Sequence, residues 1–147
     1  MFKNDKSEAT GKLTIEIKNP QGTVIDTREV KNLVVDDGLE FIASRMKDTT
    51  STAMSHMAIG TGSTAAAAAD TALGTEAARQ GLTSTTVTAN AVAYVASFAA
   101  GTGTGAITEA GILNASSGGS LLCRTVFSVV NKGASDSMTI TWTVTIS

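Results

Sequence analysis

Met138, Ile140, Trp142, Val144 and Ile146 alternate without a break with Thr139, Thr141, Thr143 and Thr145. Side chains on a strand point to opposite faces in turn, so this segment has one wholly apolar face and one wholly threonine face. A strand buried on both faces reads as a continuous apolar run, so strict alternation predicts an antiparallel sheet with one face in a core. Met138, Ile140, Trp142 and Val144 are the expected core residues.

The rest of the chain repeats this logic more weakly. Leu13, Ile15 and Ile17 alternate with Thr14, Glu16 and Lys18, and Asn19-Pro20-Gln21-Gly22 has the chemistry of a turn. Thr23 to Lys31 returns as a second strand, which Leu33-Val34-Val35 can extend. Further strands are expected over His56 to Ile59, Leu82 to Thr88, Ala91 to Phe98, Ile107 to Leu113, Leu121 to Val130 and Met138 to Ile146. The two runs flanking Ala89-Asn90 form either a hairpin or one long strand. One short helix is expected over about Gly38 to Met46, capped by Asp37 with Glu40 reaching back, and with Leu39, Ile42, Ala43 and Met46 on one face. Ala65 to Ala69 has high helix propensity but lacks a cap and is ended by Gly74, so it reads as a loop or a single turn. The expectation is a mainly β chain: a flexible N-terminal arm over 1–11, then a single antiparallel β-sandwich or jelly-roll-like domain over 12–147.

Composition narrows function by removing chemistry. The 147 residues include one histidine and one cysteine, and the net charge is −2 with no basic block. That balance gives no reason to expect nucleic-acid binding. A lone cysteine allows no intrachain disulfide, and two potential Cys or His ligands are too few for zinc. No apolar run is long enough to span a membrane and the first residues lack a signal-peptide core, so folding in a cytoplasm without membrane contact is expected.

The remaining candidates are weak. His56 and Cys123 are the only possible nucleophile–base pair, but no Gly-x-Ser-x-Gly occurs and Cys123 lies in an apolar strand. Asp36-Asp37 is the one adjacent acidic pair, without a calcium loop after it. Gly60-Thr61-Gly62 and Gly101-Thr102-Gly103-Thr104-Gly105 have the look of phosphate cradles but contain no lysine. Glu76 and Glu109 could form a glycosidase-like carboxylate pair; ion pairing of Glu76 with Arg79 and backbone bracing by Glu109 are the simpler roles. Tyr94 and Trp142 are the only aromatic platforms a sugar could use, and the strand pattern assigns Trp142 to the core. No catalytic, cofactor or metal site is therefore expected.

Several segments carry a resemblance: Asn-Leu-Val-Val-Asp-Asp-Gly before the helix; Met-Ala-Ile-Gly-Thr-Gly-Ser-Thr from Met57, followed by Asp70-Thr71-Ala72-Leu73-Gly74-Thr75-Glu76 and Arg79; Ile-Thr-Glu-Ala-Gly-Ile-Leu-Asn-Ala from Ile107, with Leu-Leu-Cys-Arg-Thr-Val-Phe after it; and the closing stretch from Val130 to Ile146. Together they resemble small virion proteins of tailed bacteriophages, both capsid decoration (cement) proteins and tail-fibre-like structural proteins. The resemblance implies a non-enzymatic β-sandwich located in the virion after assembly in the host cytoplasm. It also implies partners: copies of itself, as a homotrimer, and the major capsid protein or tail proteins. A tail or baseplate component is the alternative, and a carbohydrate-binding module a further one.

Overall fold

The computed structural model describes residues 8–47 and 51–147. Among the described residues the chain is mainly β, with strands β1 (Ala9–Lys18), β2 (Val24–Val34), β3 (His56–Gly60), β4 (Glu76–Gly81), β5 (Ser84–Thr88), β6 (Ala91–Phe98), β7 (Gly105–Leu113), β8 (Leu121–Lys132) and β9 (Ser137–Ile146), and one helix, α1 (Asp36–Lys47). All nine strands belong to a single antiparallel sheet in the order β4-β3-β7-β8-β2-β1-β9-β6-β5, curled into a half-barrel.

Two strands make the curl. β2 pairs with β1 along most of its length but with β8 only through Leu33 and Val34. Beyond those residues β2 and β8 splay, and side chains hold the gap. Thr125 Oγ1 donates to the Lys31 carbonyl at 3.0 Å, and Arg28 donates to the Ser128 and Val129 carbonyls at 3.4 and 3.3 Å. At the other corner the chain passes from β4 into β5 with no reversal. Leu82 N–H bonds to Ser55 O at one end of the sheet, and Thr83 N–H bonds to Val95 O at the other. Strands that change partners partway along are how a curved sheet turns a corner.

The concave face holds the core, which the alternating strands line as expected. Leu13, Ile15, Ile17, Met138, Ile140 and Trp142 have no exposed surface. Trp142 satisfies its indole N–H through Asn32 Oδ1 at 2.9 Å, and Asn32 reaches it across Gly11, where a Cβ would collide with the Asn32 amide. Gly11 thus belongs to β1, as do Ala9 and Thr10, which pair with Ile146 and Thr145. The arm expected over 1–11 is corrected there: the alternation is hidden because glycine stands where an apolar residue would signal the strand. Residues 1–7 lie outside the described residues.

Other expectations need smaller corrections. β4 is a strand where none was expected, over Glu76–Gly81. Half-exposed on a sheet end, it has no alternation to read. Ala89 and Asn90 make a hairpin turn, with Ala89 at φ 51°. Helix α1 begins at Asp36 and packs by a different face. Gly38 is buried against the Leu122 carbonyl, where any Cβ would clash, and Phe41 and Ile42 pack on the core. Leu39 and Met46, expected to be inward, are 47% and 86% exposed. The close approach at Gly38 sets the helix rotation, which the apolar spacing alone does not. Asp37 ties the helix to β8 by accepting from Leu121 N–H at 2.8 Å instead of capping its own helix.

Candidate functional site

On the convex face of β3, β7 and β8, two charges are buried side by side: Glu109 is 0% exposed and Arg124 2%. Glu109 stands opposite Gly60 on β3, and Arg124 opposite Gly111 on β7. Burying charges is costly unless every donor and acceptor is answered. Here the segment between β3 and β4 folds over the pair and answers them. Glu109 Oε1 accepts from Gly62 N–H at 2.9 Å and Thr75 N–H at 2.7 Å. Its Oε2 accepts from Gly74 N–H at 2.8 Å and from Arg124 Nε and Nη2 at 3.1 and 2.9 Å. Arg124 Nη1 then donates to Asp70 Oδ2 at 2.7 Å, and Nη2 to the Thr64 carbonyl at 3.0 Å. Asp70 in turn accepts from Ala67 N–H at 2.8 Å. Below the network, Leu73 packs with Val35, Ala58, Leu113 and Leu121 in a second small apolar cluster.

The Gly60-Thr61-Gly62 motif has a clear role in this frame. A Cβ at Gly60 or Gly62 would run into the Glu109 carboxylate, so only glycine lets the backbone close on it. The cradle is of the anion-binding kind, but its anion is the protein's own carboxylate. Burial opposes ionisation of Glu109, yet the bonds from Thr75, Gly74, Arg124 and Gly62 outweigh it and hold the carboxyl below the ordinary range. The Ala67 amide, with help from Arg124 and against partial burial, likewise lowers Asp70. For Arg124, burial is outweighed by Glu109 and Asp70, and its pKa rises.

The network holds an outward surface. Between Thr61 and Thr75 most side chains are exposed, among them Ser63, Ala65, Ala67, Ala69 and Thr71. It is a shaped face of small groups with the bracing charges turned inward. Its exposed side chains are methyl and hydroxyl groups, with the Asp70 carboxylate partly exposed among them.

The other sequence candidates are dispersed. Cys123 shares a row with Ile112 and Met57 on the concave side, whereas His56 shares one with Leu113 on the convex side, so the two point apart. Burial pushes the Cys123 thiol well above its usual value. His56 Nδ1 is paired with Ser55 Oγ at 2.7 Å. Glu76 and Glu109 sit on the strands flanking Gly60 but are committed to different cations, Glu76 to Arg79 at 2.7 Å. Arg79 also donates to the Ala115 and Gly118 carbonyls at 2.9 and 2.8 Å. No group of three His, Cys, Asp or Glu suited to a metal occurs among the described residues. Gly101 and Gly103 serve a turn with φ of 84° and 66°, which the buried Lys132 braces by donating to the Ala99 and Asp136 carbonyls at 2.9 and 2.8 Å. Tyr94 is buried and pushed up to about 12 by burial, with the Cys123 side chain adding to the shift. Trp142 is buried as well, and Tyr94 reaches the surface only at the lining of an apolar groove beside α1.

Sequence reasoning missed Arg124 and Asp70. The signal for Arg124 was a cation directly after the apolar run Leu121-Leu122-Cys123 and within the strand pattern, as Glu109 is an anion inside Ile107 to Leu113. Charges in such runs on neighbouring strands point to each other. Comparison with protein-family models, with curated proteins and with solved structures gives no match.

Proposed function

We propose that this chain is a structural component of a tailed-phage virion: a capsid decoration protein that binds the head shell and stabilises it, and not an enzyme. The observation that carries the reading is the Thr61–Thr75 surface, braced from beneath by Glu109, Arg124 and Asp70 and presenting mostly small side chains. A binding face held rigid in advance loses little conformational entropy on docking. The resemblance supplies the partner, the major capsid protein, and a homotrimer as the stoichiometry on the shell. In the same reading the two halves of the curled sheet act as the layers of a jelly-roll-like sandwich.

Ala69 is exposed on the braced surface, and no hydrogen bond ties it to a neighbour. Ala69→Arg is expected to weaken binding to expanded empty capsids at least tenfold, with a melting temperature within a degree or two of the parent. The copy number in purified particles is the companion measurement. Hundreds of copies fit a shell protein; tens or fewer move the chain to the tail or baseplate and refute decoration. Glycan binding by the isolated protein, without capsid binding, refutes both virion readings.

A further inference from the structure

β5 closes the sheet order at one end, hydrogen-bonded to β6 along one edge. Among the described residues nothing pairs with its other edge, so alternate N–H and C=O groups of a five-residue strand face outward. Natural edge strands are guarded by charge, proline or bulges. Ser84-Thr85-Thr86-Val87-Thr88 has no charge and no proline, its pairing to β6 is regular, and all five residues are exposed. The remaining free strand edges are managed otherwise. β4 carries Glu76 and Arg79, and the gap between β2 and β8 is bridged by Arg28 and Thr125.

A second observation lies on the concave side of the same strand. Val144, Val92 and Val87 are register partners and form one row across β9, β6 and β5. The row starts buried, with Val144 at 4% exposure, and ends bare, with Val87 at 70%. Val92 and Val144 floor an apolar groove of about 210 Å³ walled by Phe41 and Ile42 of α1. The core face thus runs out to the unpaired edge and stops there uncovered.

We propose that β5 pairs antiparallel with β5 of a second copy about a two-fold axis at Thr86. The edge calls for an extended strand, and this one is complementary to itself. Thr86 meets Thr86 of the other copy, Thr85 meets Val87 and Ser84 meets Thr88, so no like charges are opposed and threonine lies beside threonine or valine. Val87 is then covered by the incoming strand. The flanking convex face agrees, because Ala91, Ala93 and Val95 on β6 bring no charge to the junction. A two-fold contact of this kind is isologous and closes on itself. It uses residues distinct from those of the braced Thr61–Thr75 surface. With only five residues a side it is smaller than a standard stable interface, so it is weak between free molecules and gains strength when many copies are arrayed together.

Sedimentation of the full chain from about 10 µM to about 1 mM, the range in which weak contacts populate, tests this against two single variants. The parent is expected to reach twice the mass of Thr86→Lys and of Thr86→Glu, because each variant opposes like charges at the axis. An equimolar mixture of the two variants should recover the doubled mass. Thr86→Cys, in a chain whose native cysteine is buried, should form a disulfide-linked pair on mild oxidation even if the lysine and glutamate variants fold poorly. Equal masses for the parent and Thr86→Lys at the top concentration, a mixture that fails to recover, or no cross-linked pair would each overturn the proposal. Capsid binding by Thr86→Lys is measured alongside. Its retention shows that the result concerns the β5 contact and not the decoration reading.

Discussion

A carboxylate without exposed surface is tolerated in a strand only when its charge is fully answered, and Glu109 receives five hydrogen bonds from three backbone amides and one guanidinium. Glu109→Ala leaves Arg124 buried beside a void and three amides without an acceptor. Breaking a buried pair in this way typically costs about 3–5 kcal/mol, so chemical denaturation of Glu109→Ala should show a midpoint far below the parent's. The same residue fixes an acid response. Its folded-state pKa lies below its unfolded one, so its stabilisation is complete above the unfolded value and is lost as pH falls through the folded value. The window therefore opens below about pH 4, the ordinary carboxylate value. Amide exchange at Gly62, Gly74 and Thr75 should lose protection there before the β1–β9 ladder does. Simultaneous loss at both places would contradict a loop held by Glu109.

Among the elements, β1 shows how two neighbours make a strand out of an unpromising sequence. Ala9, Thr10 and Gly11 carry no apolar alternation, yet they pair with β9, and Glu8 exchanges backbone hydrogen bonds of 2.8 Å in both directions with Ser147. Truncations on either side of this point should behave differently. Removing residues 1–7 takes away none of these bonds and is expected to leave the melting temperature within about two degrees of the parent. Removing residues 1–10 deletes the end of the ladder. A loss of about 1 kcal/mol per hydrogen bond then lowers the melting temperature by several degrees, since 1 kcal/mol shifts a domain of this size by about 2–8 °C. Equal melting of the two truncations would show that Ala9 and Thr10 do not hold the β9 edge. Helix α1 makes the complementary case. Acidic residues begin it and basic residues end it, as the helix dipole favours, so its existence was legible. Its rotation was not, because contact with the Leu122 carbonyl selects the Gly38 face.

For the whole molecule, the half-barrel depends on where pairing stops as much as on where it occurs. β2 leaves β8 after two residue pairs, and the chain crosses from β4 to β5 between opposite ends of the sheet. Those two corners bring the halves of the sheet around one core and leave the convex side of β3, β7 and β8 to be covered by the Thr61–Thr75 segment. They also leave β5 as an open edge. The braced surface and the open edge therefore lie on different parts of one curved sheet, so the two contacts proposed for them use separate residues.

The sequence by itself determined the antiparallel β class, most strand positions and the inward residues of β9, because alternation of apolar and polar side chains is a local property that one strand's burial enforces. Only the tertiary structure decided that Gly60, Gly62, Gly74, Asp70, Glu109 and Arg124 form one network. Their partnership spans up to 64 residues of chain, from Gly60 to Arg124, and no local pattern encodes which buried charge answers which. The curl of the sheet and the rotation of α1 were decided there as well, since both follow from contacts between elements that the chain brings together only when it folds.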